Sequence, residues 1–238
     1  MFAICILSVN PHKHTIEFLK SLKHPYYDLF ICLDDISLDL PPLDNIHIIR
    51  VTDEQAKSFG FFGSVDYCPT RACSRDKALF FFSFHDLSYS FIWFLEEDVF
   101  IPSVFTLKDI DLKYPEHDLL CNEHSVNYGD GKAMYWQHWD KNMGKINYPW
   151  AKSLICAVRI SHSLLQNIKN FALSNKFLLF DEMLFNTLAH QNNLSIKVCE
   201  ELQYITFSFT DIQVDSYNPS CLYHPIRNID KHPLLRVP

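Results

Sequence analysis

The sequence predicts an α/β protein with a mostly parallel, mixed central sheet flanked by helices. Three observations carry this. The chain begins on an unbroken apolar run of β type, Phe2–Ser8 (FAICILS). Further runs of the same kind alternate with segments of helical spacing, the pattern of parallel strands joined by crossovers. No internal repeat, low-complexity tract or linker interrupts the 238 residues, so one domain is expected over 1–238.

Phe2–Ser8 lacks polar alternation, which marks a strand covered on both faces. Thr15–Leu22 places Ile16, Leu19 and Leu22 at helical spacing. Tyr27–Leu33 (YDLFICL) is a second strand ending in Asp34-Asp35, and Ile46–Val51 (IHIIRV) a third. Arg75–Leu87 reads as a helix, and Phe91–Leu95 (FIWFL) as a fourth strand running into Glu96-Glu97-Asp98. The second half changes character. Asn127–Trp150 is polar, aromatic and turn-like, with Trp136, Trp139 and Trp150. Lys152–Ile160 (KSLICAVRI) reads as one strand, Ser163–Phe171 and Glu182–His190 as helices, and the tail from about Asp211 as irregular. The change of character divides the one expected domain into two functional halves, about 1–101 and about 102–238.

Composition excludes several functions. Five glycines, none in the first 59 residues, leave no G-x-G-x-x-G turn after an early strand and no P-loop. A phosphorylated ligand would need something other than a backbone nest to neutralise it. The net charge of −7, with no basic run, argues against a nucleic-acid partner. Eight cysteines without a C-x-x-C pair, several in apolar runs, suit a reducing compartment, and the expected location is cytoplasmic. The longest apolar stretch, Ala78–Leu95, is broken by His85, Asp86 and serines, so no membrane span is expected, although peripheral membrane contact stays open.

Ligands of parallel sheets bind beyond the carboxyl ends of the strands, where both acidic clusters fall. Strand alternation puts Glu96 and Asp98 on one side and Glu97 on the other. Two carboxylates on one side suit a hard divalent cation, Mg²⁺ or Mn²⁺, which also takes phosphate oxygens as ligands. A solvated turn after a core strand is the plainer alternative.

The segment LEEDVFIP (Leu95–Pro102) resembles the D-x-D-type motif of GT-A fold glycosyltransferases. The resemblance implies a GT-A fold, a metal held by Asp98 with Glu96 assisting, and a sugar-nucleotide diphosphate beside Glu97 and Asp98. Glutamate in the first position departs from a strict D-x-D. Leu178–Ala189 (LLFDEMLFNTLA) suits a helix N-cap at Asp181. It also resembles a segment of core-2/I-branching type enzymes, which implies Glu182, or alternatively Asp181, as general base of an inverting transfer. The tail Leu222–Arg227 (LYHPIR) resembles the Y-H-P-[VI]-K ending of some glycosyltransferase-like proteins. It implies His224 as a metal ligand and Arg227, with Arg236 behind it, as a diphosphate contact.

The same resemblance implies nucleotide contacts at Ser8 and Asn10 after the first strand, at Asp34 and Asp35 after the second, and at Arg75 and Lys77 in the S-R-D-K segment. Turn formation at Asp34-Asp35 and plain solvated charges at Arg75 and Lys77 are equally simple readings. Trp136 and Trp150 are candidates for stacking on an acceptor sugar, with Arg159 lining the same pocket. The expected function is a Mn²⁺- or Mg²⁺-dependent transfer from a nucleotide sugar, UDP- or GDP-linked, to a glycan or glycoconjugate hydroxyl. The alternatives are a non-catalytic nucleotide- or carbohydrate-binding protein on the same fold, or a nucleotidyltransferase.

Overall fold

The computed structural model describes residues 1–9, 11, 13–38, 40–66, 69–85, 89–214 and 216–228, so Asn10, Arg236 and Cys68 lie outside the described residues. Strand β1 (Phe2–Ser8) lies inside a seven-stranded sheet and pairs in parallel with β2 (Tyr27–Leu33) and β4 (Phe91–Glu96), Ile4 lying between Leu29 and Trp93. Strand β3 (Ile46–Ile49) adds in parallel to β2 at one edge. On the other side β8 (Ala157–Ser161) runs antiparallel to β4, β5 (Leu119–Cys121) antiparallel to β8, and β9 (Ile196–Val198) parallel to β5. The predicted α/β class and mostly parallel, mixed sheet are therefore observed.

Helices cover both faces, as the unbroken apolar strands require. Along β1, Ala3, Cys5 and Leu7 join one core with Leu79 and Phe82 of α3 (Ser74–Phe84), Leu164 of α5 (His162–Asn175) and Leu184 of α6 (Asp181–Gln191). Ile4 and Ile6 point into the other core, with Leu19 of α1 (Lys13–Ser21) and Leu107 and Ile110 of α4 (Val104–Lys113). Each fully buried aliphatic side chain contributes roughly 1.5–3 kcal/mol of transfer free energy. The short α2 (Asp53–Ser58) is closed by a capping box between Thr52 and Gln55. Just beyond it, Gly60 (φ +86°) packs so closely that a Cβ would lie 2.2 Å from the Ala172 carbonyl oxygen. No helix among the described residues is long and apolar enough to cross a membrane.

Several boundaries differ from the sequence reading. The third strand ends at Ile49, and the helix expected to run to Leu87 ends at Phe84. The run Lys152–Ile160 is two strands serving two sheets. β7 (Trp150–Lys152) pairs antiparallel with β6 (Ser125–Asn127), while β8 enters the main sheet. Between them the Ser153 N–H donates to the Glu182 carbonyl (2.9 Å) and the Ser153 hydroxyl to Asn122 Oδ1 (2.8 Å), so the chain crosses over at the start of α6.

The tail returns to the sheet. β10 (Tyr204–Ile205) and β11 (Tyr223–His224) pair in parallel. Phe100 and Tyr223 exchange both backbone hydrogen bonds (2.8 and 3.1 Å), and the Ile226 N–H donates to the Asp98 carbonyl (2.8 Å). Backbone pairing thus fixes His224 beside the end of β4.

Arg159 corrects an expectation. Its side chain is fully buried in β8, so it does not line an acceptor pocket. It donates to Asp111 Oδ1 (2.8 Å) and to the carbonyls of Tyr114 (2.6 Å) and His117 (3.0 Å), and it stacks 4.1 Å from the Phe91 ring. Asp111 also accepts from Tyr27 and from Trp93 Nε1 (3.2 Å). Arg159→Met strands this carboxylate in the interior, and a stability loss of about 3–5 kcal/mol is expected. Urea denaturation measures it, and a loss below about 1 kcal/mol would contradict a structural role for the pair.

Candidate functional site

The carboxyl ends of β1, β2 and β4 open on a cavity of about 840 Å³, with the first turns of α3 and α6 facing them. Its wall includes Asp34, Arg75, Glu96, Glu97, Asp98, Asp181, Glu182, His224 and Arg227. Six of these nine residues are acidic, and the geometry shows how their repulsion is held down.

Glu96 closes β4, and its N–H donates to the Cys156 carbonyl (2.8 Å). Its Oε1 accepts from Arg75 (2.8 Å), and its Oε2 lies 3.5 Å from His224 Nε2. Asp98 meets the same imidazole nitrogen at 3.1 Å and takes Arg227 Nε at 3.2 Å on its other oxygen. Glu97 turns away and accepts from the Ser8 hydroxyl. His224 Nδ1 lies 2.8 Å from the Thr206 carbonyl. A carbonyl only accepts, so Nδ1 carries the proton and Nε2 faces the acids. Burial alone would raise Glu96. Its hydrogen bond to His224 and the charge of Arg75 reverse that and bring it down to about 2. Burial would lower His224, yet its hydrogen bonds to Asp98, Cys156 and Glu96 push it up to about 12.

The second acid pair opens α6. Phe180, not Asp181, is the N-cap residue, and Asp181 is the first helical residue. The cause is competition for its carboxylate. Oδ2 accepts from Arg75 (2.9 Å), and Oδ1 accepts from the adjacent Glu182 N–H (2.8 Å). The Glu182 carboxylate makes no hydrogen bond among the described residues. Burial raises Asp181 to about 7 despite Arg75, and it raises Glu182 to about 6 despite Lys152 and Arg75. Arg75 itself has only 5% of its side chain exposed and spans Glu96 and Asp181.

Other expected residues sort by position. Asp34 lines the cavity, and its Oδ1 is buried with no hydrogen-bond partner. Lys77 lies behind it rather than in the cavity, buried, donating to the Asp34 carbonyl (2.6 Å) and paired with Asp53 (2.8 Å). Asp35 is outside the cavity. It closes a turn by accepting from the N–H (2.9 Å) and hydroxyl (2.7 Å) of Ser37. Trp150 is 2% exposed and donates to the Ile146 carbonyl, so it offers no face for stacking. Trp136 is half-buried against Phe180 with Lys152 Nζ 5.1 Å from its ring. The sequence reading did not pick out Cys156, Phe207 or Phe209 for the site, yet all three line the cavity, and Phe207 and Phe209 are largely exposed. Nothing in the apolar context of Cys156 signals its position.

Among the described residues, the metal-capable donors that all lie within 4.8 Å of one another belong to Glu96, Cys156 and His224. A carbonyl-anchored imidazole with its second nitrogen turned toward carboxylates is the arrangement that metal-binding histidines adopt. The donor set accordingly fits a divalent cation.

Arg75→Met leaves the largely buried Asp181 without its cation and takes one of two cationic partners from Glu96. The expected loss at about pH 8 is ~3–5 kcal/mol. Asp181 has a raised pKa in the folded protein, so its protonation favours folding at low pH, and that contribution vanishes as pH rises through about 7. The variant should therefore be less destabilised at about pH 5 than at about pH 8. Urea midpoints at both pH values test this, and an equal loss would contradict the carboxylate account.

No family model and no curated protein sequence matches the chain. Among solved structures it is similar to an active-site variant of the galactosyltransferase LgtC, at 13% identity over 94% of this chain and 86% of that one, with a TM-score of 0.49. It is also similar to mouse xyloside xylosyltransferase 1 in its apo form, at 10% identity over 83% and 84% of the two chains, with a TM-score of 0.41. A third likeness is to TarS of S. aureus, at 14% identity over 73% of this chain and 55% of that one, with a TM-score of 0.36.

Proposed function

We propose that the chain is a glycosyltransferase that moves a sugar from a nucleoside-diphosphate sugar to a hydroxyl of a glycan or glycoconjugate, with inversion. One observation carries the reading. A cluster of groups able to ligate a cation at the end of β4 shares one cavity with Glu182, whose carboxylate makes no hydrogen bond among the described residues. The motif resemblances of the sequence supply the reaction class.

Glu96, Asp98 and His224 would hold Mn²⁺ or Mg²⁺, which when bound neutralises the diphosphate leaving group. Arg227, about half exposed, lies at the same point to contact phosphate oxygens. Asp34 is suited to the nucleoside. Its Oδ1, which makes no hydrogen bond among the described residues and lies 4.0 Å from Lys77 Nζ, would accept from a base N–H or a ribose hydroxyl, as in UDP- or GDP-linked donors. On the acceptor side, the charge of Lys152 acts on Glu182, and Lys152 Nζ lies 5.1 Å from the Trp136 ring.

Glu182 is favoured over Asp181 as the base. Both Asp181 oxygens are committed to hydrogen bonds, whereas the Glu182 carboxylate makes none among the described residues and is raised toward neutrality. In the step, the acceptor oxygen bonds to the anomeric carbon, its proton passes to Glu182, and the bond from that carbon to the diphosphate oxygen breaks. Asp181 positions Arg75.

Assay with a panel of nucleotide sugars and Mn²⁺ tests the reading. Transfer or donor hydrolysis should appear with at least one donor, rise as pH increases through about 6 as Glu182 loses its proton, and then level off. Glu182→Gln should lower turnover by ~10²–10⁴-fold while nucleotide binding persists. EDTA should abolish donor binding as well as turnover. Absence of both turnover and any nucleotide-dependent thermal shift would sink the proposal. Nucleotide binding without turnover in the wild type would leave a binding protein.

A further inference from the structure

We propose that Cys156 is a metal ligand, so that the site at the end of β4 is a mixed sulfur, nitrogen and oxygen centre that prefers Zn²⁺ or Co²⁺ to Mg²⁺. The inference rests on the reading of Glu96 and His224 as a cation site and concerns which cations that site takes.

Backbone geometry puts the thiol there. The antiparallel pairing of β4 and β8 runs to Leu95 opposite Ala157. One residue further, the Glu96 N–H donates to the Cys156 carbonyl, so the two residues face each other across the strand pair. β11 delivers His224 to the same point, and the donor atoms of all three residues lie within 4.8 Å of one another. The thiol is buried but lines the cavity, so an ion entering there meets it.

Two features distinguish this thiol from a core cysteine. Cys5 and Cys32 are fully buried within the sheet and line no part of the cavity, whereas Cys156 does. His224 is also already oriented, with Nδ1 on the Thr206 carbonyl and Nε2 toward Glu96. Asp98, 3.1 Å from that nitrogen, stands beside this three-residue group.

Donor chemistry sets the preference. Mg²⁺ demands oxygen ligands in near-octahedral array, and sulfur gives it nothing. Zn²⁺ and Co²⁺ accept cysteine, histidine and carboxylate in tetrahedral sites and stand above Mn²⁺ in affinity for such donors. On binding, the sulfur–proton bond would be replaced by a sulfur–metal bond and the proton on His224 Nε2 would give way to the metal, so that two protons leave to solvent. Zn²⁺ should accordingly displace Mn²⁺ from the site.

Cobalt spectroscopy on the full chain tests the ligand set without reference to activity. Co²⁺ titration of the wild type should give visible bands of tetrahedral intensity together with an ultraviolet sulfur-to-cobalt charge-transfer band. Cys156→Ser should lose the charge-transfer band and weaken Zn²⁺ binding by at least about tenfold, the lower end of what even an outer-shell change costs. His224→Ala should lose both sets of bands. A wild-type complex without a sulfur band, or one whose sulfur band survives in Cys156→Ser, overturns the proposal. Neither result touches the glycosyltransferase reading, whose failure would show as absent turnover and absent nucleotide binding with Mn²⁺. Circular dichroism of Cys156→Ser confirms that any lost band reflects the ligand and not unfolding.

Discussion

The guanidinium of Arg75 reaches Glu96 at 2.8 Å and Asp181 at 2.9 Å from a position where water scarcely reaches. These two acids come from distant parts of the chain, one closing β4 and the other opening α6. Two like charges about 4 Å apart repel by roughly 4 kcal/mol at the effective dielectric typical of protein surfaces. A cavity wall that collects Glu96, Asp98, Asp181 and Glu182 cannot hold its shape without an embedded cation. Arg75 is the cation that joins Glu96 to Asp181, while His224 and Arg227 hold Asp98, and it comes from the first turn of α3, a helix whose outer turns pack in the core beside β1. The position of the helix and the charge balance of the site therefore depend on each other. Arg75 and the Glu182 N–H occupy both oxygens of Asp181, whereas the Glu182 carboxylate makes no hydrogen bond among the described residues. One interaction thus separates the two neighbouring carboxylates by role.

Much of the frame is legible in the sequence. β1, β2 and β4 are runs without polar alternation, and such runs have few stable places other than a sheet covered on both faces. The sites at their carboxyl ends follow from the same topology. What the sequence hides is partnership at long range. KSLICAVRI reads as one strand because its apolar content is continuous, but it serves two sheets. The crossing is set by Ser153 meeting Glu182 and Asn122, residues that no local pattern joins to it. Arg159 looks like a solvated or ligand-facing charge for the same reason. Its partner Asp111 lies on α4, and only the folded chain shows that the two neutralise each other in the core.

Side chains near the site illustrate the limit further. Asp34 and Asp35 are indistinguishable as a pair of acids after a strand. The backbone then sends one to the cavity and the other into a turn with Ser37. Lys77 and Arg75 share a helical turn, yet two residues along a helix is roughly half a revolution, so they serve opposite sides. Arg75 faces the acids of β4 and α6, while Lys77 braces Asp34 and Asp53 from behind. Cys156 is invisible for a different reason. A cysteine in an apolar run is ordinarily core, and only the break between β7 and β8 turns this one into the cavity.

The scarcity of glycine acquires a mechanical sense from this arrangement. A glycine-rich loop offers phosphate a set of backbone N–H groups that stay in place whatever else is bound. Here the cationic groups are side chains already engaged by acids. Both terminal nitrogens of Arg75 are committed, so it sets the local potential without gripping a ligand. Arg227 is more accessible, but its Nε is held by Asp98. On the proposed reading, Asp98 would help to hold the divalent cation, and Arg227, whose Nε it now engages, would supply a further positive charge for the diphosphate. Metal and donor would then assist each other, each lowering the cost of admitting the next. A site that assembles its anion-binding charge on demand in this way needs no permanent nest, and the sequence has no glycines placed to build one.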